Sequence, residues 1–207
     1  LKLKQPLLFV NIGGISNITY LGKDEEIISL DTGPGNFLID KILQLKSKNK
    51  TQYDKDGAIA FTGNVDKNIL ESYLSDPYYE ILPPKSLDVN DFTLGPVRSL
   101  QLENAVATLS DLTSLTIVNA LNFFSIRPNE IILCGGGRKN KYISKRIQSL
   151  SNILTTNIDK YQIDGDFIES QAFAYLAIRS FLKKPISFPD TTGVLEPLSG
   201  GEFNEFK

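Results

Sequence analysis

Asn11-Ile12-Gly13-Gly14-Ile15-Ser16-Asn17 and, after one hairpin, Asp31-Thr32-Gly33-Pro34-Gly35-Asn36 are the stretches that decide how this chain folds. Leu7 to Asn11 is an apolar run ending at a polar residue, the pattern of a buried strand. It enters the Gly13-Gly14 turn. Ile15 to Leu21 and Glu26 to Leu30 then flank Gly22-Lys23-Asp24, which reads as a hairpin. Asp31 stands at the end of the second arm, ahead of a Gly-Pro-Gly turn. Asn36 can cap a helix from Phe37 toward Lys46, with Leu38, Ile39, Ile42 and Leu45 on one face. A Gly-rich turn beside a carboxylate suggests phosphoryl transfer.

Further along, Lys46 to Lys50 reads as a solvated helix end, and Asp54 to Leu74 as a helix in two pieces broken near Gly63-Asn64. Asp76 to Pro96 is rich in Pro, Asp and Asn and long for a structureless loop, which marks it as a functional excursion. Glu103 to Ser125 is the clearest helix, with Val106, Leu109, Leu112, Leu115 and Thr116 at helical spacing and Arg127-Pro128 ending it. Glu130 to Cys134 is a buried-type strand, Gly135-Gly136-Gly137 a tight turn, Lys139 to Leu150 a helix and Asn152 to Thr155 a further strand. Glu169 to Leu182 reads as a helix with Ala172, Phe173, Leu176, Ala177 and Phe181 turned inward. Strands alternating with helices after an antiparallel hairpin predict an α/β domain: a mixed sheet covered by helices, with no internal domain boundary.

Composition narrows the chemistry. There is no His in the 207 residues, so within this chain a Ser-His-Asp triad, a His base and a His-ligated metal are excluded. Acid–base work falls to Asp, Glu, Lys or Tyr. The one Cys, Cys134, permits no internal disulfide and no Cys-pair metal site, and fits a reducing cytoplasm. The net charge of −2 gives no electrostatic case for nucleic acid or an anionic membrane. No apolar run approaches bilayer-spanning length. The chain has no Met and begins Leu1-Lys2-Leu3, so it is expected to be a fragment, a processed chain or one lacking an upstream part.

Each local signal carries two readings. Gly13-Gly14 either lets backbone N–H groups approach an anion or serves a hairpin that needs positive φ. Asp31 is either a base on rigid backbone or an Asx-turn residue bonding its own backbone. Gly135-Gly136-Gly137, with Lys139, Asn140 and Lys141 after it, can bring backbone and a helix N-terminus against a nucleotide. It is neither a P-loop nor a dinucleotide fingerprint. Glu169 in a first helical turn serves the helix dipole unless context lifts it above that. Cys134, flanked by apolar residues, reads as core. Pro84-Lys85-Ser86 reads as a solvated loop, with substrate contact as the sharper alternative.

In this order the elements resemble the anhydro-N-acetylmuramic acid kinases, members of the actin, hexokinase and Hsp70-like ATPase superfamily. The resemblance runs from Asn11–Thr19 through Asp31–Asn36, Asp56-Gly57-Ala58, Pro84-Lys85-Ser86, Ala107-Thr108-Leu109 and Cys134–Asn140 to Glu169–Ala174 and Thr192-Gly193-Val194. It implies a ribonuclease H-like lobe and a reaction in which ATP and water convert 1,6-anhydro-N-acetylmuramic acid to the 6-phosphate. Asp31 would then be the general base, with Glu169 near it and the sugar. Gly13 and Gly14 would line a phosphate loop. Gly135, Gly136, Gly137 and Asn140 would contact the nucleotide, with Mg²⁺ on its phosphates. Family members are often dimers, so a homodimer is a further implication, though no residue here fixes it.

The chain departs from the family pattern at Leu87-Asp88-Val89-Asn90, where Thr-Gly-Arg-Glu is usual, at Asn104 in place of an acid, and at Ser170 in place of Ala. The family's first phosphate loop, Gly-Thr-Ser-x-Asp-Gly, has no counterpart. Residues 1–207 are therefore expected to be a single C-terminal lobe whose partner is the N-terminal lobe, inactive alone. The alternative is a non-catalytic remnant that binds nucleotide or mediates association.

Overall fold

The apolar run after Pro6 forms β1 (Leu7–Ile12), the middle strand of a five-stranded sheet in a computed structural model that describes residues 3–202 and 204. β2 (Ile15–Leu21) and β3 (Ile27–Pro34) add to one side of it, antiparallel. β4 (Glu130–Cys134) and β5 (Leu154–Asn157) add to the other, parallel. The order β3-β2-β1-β4-β5 makes the sheet mixed, as the alternation of elements implied.

Side chains on a strand alternate between faces, so parity decides what each face becomes. Leu8, Val10, Ile12, Ile18, Tyr20, Leu30, Ile131 and Leu133 all turn to one face and are buried there. Against them pack α1 (Phe37–Ser47), α3 (Leu102–Asn119) and α4 (Lys141–Ser151). α2 (Lys67–Leu74) lies outside α3. The opposite face holds a thin cluster of Leu7, Ile132, Cys134 and Ile158, with Tyr161, Ile163 and Ile168 against it. Burial there pushes the Cys134 thiol up to about 11, in keeping with a core residue.

α3 is buried along most of its length although it is rich in hydroxyls. Small side chains let it press against the Asp31–Asn36 stretch: Thr113 Oγ1 lies 2.8 Å from Pro34 O and 3.0 Å from Gly35 O. A Cβ on Gly33 would sit 2.8 Å from Thr116 Oγ1, so this crossing needs glycine. β3 accordingly continues through Asp31 to Pro34 instead of turning after Asp31, with a register shift opposite Ser16/Asn17.

Other elements differ from the sequence reading for identifiable reasons. α1 buries Leu38, Ile39, Ile42 and Leu43, while Leu45, at the edge of that stripe, is exposed. Its basic end is tied down, because Lys46 Nζ donates to Leu100 O at 2.7 Å and Arg98 O at 3.0 Å. The first half of the segment 54–74 forms two 3-10 turns, Lys55–Gly57 and Ala60–Thr62, instead of a helix. There the buried Asp54 carboxylate takes the amides of Ile59 (2.8 Å) and Ala60 (3.0 Å), which competes with helical bonding. The largest difference is α5 (Ile168–Phe181). Ala172, Phe173, Ala177 and Phe181 are exposed and Leu176 is only half-buried. Of this helix only Ile168 reaches the thin cluster on the second face. Its apolar stripe is real, but the described residues do not bury it.

Candidate functional site

The sheet register builds a polar row. Asp31 pairs with Asn17 across β3 and β2, and Asn17 with Asn11 across β2 and β1. Residues directly opposite in register share a face, and these three lie on the thinly covered one, each half-buried. Glu169, exposed at the start of α5, extends the row: Asn11 Nδ2 donates to its Oε1 at 3.4 Å. Asp31 and Glu169 therefore do not touch. With strands about 4.8 Å apart, Asn11 and Asp31 are separated by about 10 Å.

The 76–91 excursion fixes Asp31. β3 is an edge strand, so its outward backbone groups need partners. Asp31 N donates to Lys85 O (3.0 Å) and Tyr78 Oη donates to Asp31 O (2.8 Å). Leu87 N donates to the carboxylate at Oδ2 (2.8 Å), and no other described residue bonds the side chain, leaving Oδ1 open. Burial raises the Asp31 carboxyl above its usual range, and the Leu87 amide opposes this. Lys85 is not a solvated loop cation. Its ammonium donates to Tyr78 O at 2.8 Å, contacts Tyr79 O at 3.4 Å, and lies over the Tyr78 and Phe123 rings.

The Gly13-Gly14 turn caps α1 with its carbonyls. Asn36 N donates to Gly13 O (2.7 Å), and Gly35 N and Phe37 N donate to Gly14 O (2.8 and 3.1 Å). Asn36 makes no side-chain cap; its amide turns to Ile12 O at 3.1 Å. Neither Gly13 nor Gly14 has positive φ, so the hairpin does not demand glycine on that ground. A Cβ on Gly14 would come no closer than 3.8 Å to anything, and one on Gly13 no closer than 3.4 Å.

The triple-glycine turn divides the same way. Gly135 has φ +70°, and a Cβ there would strike Asn11 Oδ1 and come within 2.9 Å of Ile12 O. A Cβ on Gly136 would meet nothing within 4 Å. Arg138, which sequence reasoning passed over as a site-forming residue, holds the turn in place. Its guanidinium donates to Asp159 (2.7 and 3.2 Å), Asp166 (2.8 Å) and Gly135 O (3.0 Å). With Lys139 it holds the Asp166 carboxyl down at about 2. Asn140 is the N-cap of α4, its Oδ1 accepting from Tyr142 N (3.0 Å) and Ile143 N (3.2 Å).

Gly136 stands between two cavities. One, of about 350 Å³, is walled by Asn36, Asp40, Asp54, Gly137, Lys139 and Asn140. The other, of about 150 Å³, is walled by Asn11, Gly13, Gly135, Asp166 and Glu169. Burial, with Asp54 nearby, pushes the Asp40 carboxyl up to about 6. Of the residues singled out from the sequence, Gly13, Gly135, Gly136 and Glu169 come together around the smaller cavity, and Gly136, Gly137 and Asn140 around the larger. Gly14 stays at the α1 cap and Asp31 at the far end of the polar row. Asn11 and Asn17 were missed as site residues. Their signal was parity, since both fall on the strand positions that the apolar core does not use.

A mixed five-stranded sheet with one helix-packed face and a glycine-lined polar edge is an α/β architecture that resembles a lobe of the actin, hexokinase and Hsp70-like ATPases. Residues 2–204 match the family model for anhydro-N-acetylmuramic acid kinase, and the chain belongs to that family. Similar curated proteins are the anhydro-N-acetylmuramic acid kinases of Zymomonas mobilis subsp. mobilis (41% identical, covering 96% of this chain and 54% of the relative) and Caulobacter vibrioides (41%, 96% and 53%). That of Rhizorhabdus wittichii is 42% identical over 95% of this chain and 53% of its own length. The chain thus spans about half the length of the curated relatives it matches.

Proposed function

We propose that this chain is the C-terminal half of an ATP-dependent kinase acting on 1,6-anhydro-N-acetylmuramic acid, completed by an N-terminal lobe. The observation that carries this is the open row from Asp31 through Asn17 and Asn11 to Glu169, which runs beside the glycines that the fold itself leaves uncovered. Asp31 is the general base. Its burial raises the carboxyl toward the working range of a base, and its Oδ1 is open to a water. That water loses its proton to Asp31 as its oxygen bonds to the anomeric carbon. The bond from the anomeric carbon to the bridge oxygen breaks, and that oxygen, left on position 6, accepts the γ-phosphoryl group of ATP as ADP leaves. Glu169 and Asn11 orient the sugar from the other end of the row.

Gly13, Gly14 and Gly136 offer backbone to phosphate without a Cβ in the way, and Gly135, Gly137 and Asn140 shape the nucleotide wall beside them. Among the described residues no three acidic or thiol groups converge to hold a metal. Mg²⁺, which supplies charge neutralisation when bound, would sit on the phosphate oxygens. The sugar, the N-terminal lobe and a homodimer are the partners of this reading. Among the described residues no helix is long and apolar enough to cross a membrane, and the kinase reading places the chain in the cytoplasm.

A second reading, a nucleotide-binding or association module without activity, is favoured by the half-length coverage of the relatives. Mixing this chain with an N-terminal lobe from a relative and assaying phosphorylation of the anhydro sugar separates the two. Phosphorylation that disappears in Asp31→Asn supports the kinase half. Full activity in that variant refutes the base, and no activity in any reconstitution favours the module.

A further inference from the structure

We propose that Lys85 and Tyr78 are positioning residues for Asp31, with Lys85 pinning Tyr78 and the pinned 78–87 segment fixing where the Asp31 carboxylate points. The inference rests on the reading of Asp31 as the base, and it deepens that reading.

Asp31 lies on an edge strand, where one side of the backbone would face water. Instead its N–H, its C=O and one carboxylate oxygen are all engaged by a single excursion, through Lys85 O, Tyr78 Oη and Leu87 N. Three attachments at one residue define the backbone and the carboxylate plane together, and they occupy Oδ2 while leaving Oδ1 open.

The excursion is closed on itself by one cation. Lys85 Nζ donates to Tyr78 O at the 3-10 turn Pro77–Glu80 and lies 4.4 Å from the Tyr78 ring centroid and 4.8 Å from that of Phe123. Phe123 follows α3, so the same cation ties the excursion to the helix that backs Gly33 and Pro34. An ammonium between two aromatic faces and a carbonyl is partly desolvated, which lowers its pKa, and it has no carboxylate partner among the described residues. Its contacts are those of a tether, with no arm reaching toward the polar row. Asp91, near Tyr78 in the next 3-10 turn, and Asp76, whose Oδ1 accepts from Tyr78 N at 2.8 Å, are the other charged groups facing this segment.

The test uses the chain as it stands. The Asp31 carboxyl carbon is titrated by NMR and assigned by its loss in Asp31→Asn, and exchange of the Leu87 amide is followed in parallel. In the unaltered chain Asp31 titrates above the usual Asp range. Lys85→Gln is expected to bring that titration back toward the ordinary range, because opening the segment removes the burial that outweighs the Leu87 bond. Leu87 amide exchange should rise about tenfold to a hundredfold, the equivalent of one charge-assisted hydrogen bond. Tyr78→Phe, which deletes only the hydroxyl, should move both in the same direction by less. Lys85→Arg, which keeps a cation over the rings, should restore them.

Unchanged Asp31 titration and Leu87 exchange in Lys85→Gln overturn the proposal. So does a change in both that Lys85→Arg fails to restore. If Lys85→Gln unfolds, Tyr78→Phe decides, and an unaltered Asp31 titration in that variant overturns the proposal. Failure of the base itself shows in a different experiment, as kinase activity retained by Asp31→Asn in the reconstituted enzyme.

Discussion

Replacing Gly136 with Ala and, separately, Gly135 with Ala should have opposite effects on folding, although the two residues are adjacent. Gly135 sits at φ +70°, which for an L-residue is unfavourable by about 1–2 kcal/mol. Its new Cβ would also meet Asn11 Oδ1 and stand 2.9 Å from Ile12 O, part of the central strand that cannot move aside. Overpacking of that kind adds about 1–3 kcal/mol. Gly135→Ala should therefore lose about 2–5 kcal/mol in all. Gly136 has no positive φ and nothing within 4 Å of its added Cβ. Ala there restricts the unfolded chain and should be neutral or stabilising, by up to about 1 kcal/mol. Urea titrations followed by far-UV circular dichroism give both numbers. At an m of about 2 kcal/mol/M the Gly135→Ala midpoint falls by roughly 1–2.5 M and the Gly136→Ala midpoint holds or rises. ATP titrated into the reconstituted enzyme should nonetheless bind Gly136→Ala at least about tenfold more weakly, because the methyl occupies the space a phosphate or ribose would approach. A Gly136→Ala chain as unstable as Gly135→Ala would refute the steric reasoning. One that is stable and binds ATP like the unaltered chain would refute the assignment of this turn to the nucleotide.

Asp40→Asn should stabilise the chain by about 1–2 kcal/mol at pH 7.5 and leave it unchanged near pH 3.5, read by urea midpoints at both values. Burial and Asp54 raise the folded pKa to about 6, so the native state binds more protons than the unfolded state between the ordinary Asp value and 6, and stability falls as pH rises through that window. Arg138→Ala should lose about 2–3 kcal/mol in the same assay, less than a fully buried ion pair would, because Asp159 and Asp166 are half-exposed and rehydrate. Thr113→Val removes the buried hydroxyl between Pro34 O and Gly35 O and should lose about 1–3 kcal/mol, with a lowered thermal midpoint.

The sequence disclosed the strands and main helices because their apolar residues recur at periods of two and near 3.6, and burial follows that parity in β1, β2 and α4. What it withheld are relations between distant residues. Nothing local says that Asp31, Asn17 and Asn11 stand side by side, since register depends on which strands pair. Arg138 finds its carboxylates 21 and 28 residues onward, and Tyr78 meets Asp31 across 47. Asp54 outcompeted a helical pattern by offering its own carboxylate to two amides, which composition cannot reveal. α5 shows the sharper limit. A stripe such as Phe173 and Leu176 states that a helix has an apolar side, but not which molecule covers it, and here the described residues do not.

The same limit governs the glycines, which look alike in sequence and divide in space. Gly33, Gly35 and Gly135 are explained from within: Thr116 crosses behind the first, Gly13 O crowds the second, and Ile12 O crowds the third. Gly13, Gly14 and Gly136 have no such internal reason: Gly13 and Gly136 border the smaller cavity, and Gly14 is exposed at the α1 cap. Inserting Ala at the first set tests the fold, and at the second set it tests the ligand. A motif that mixes the two kinds therefore fixes the fold and offers a site with the same few residues. The Asp31 stretch does so most plainly, its glycines spent on packing against α3 and the Gly13-Gly14 turn while its carboxylate is left with one oxygen open.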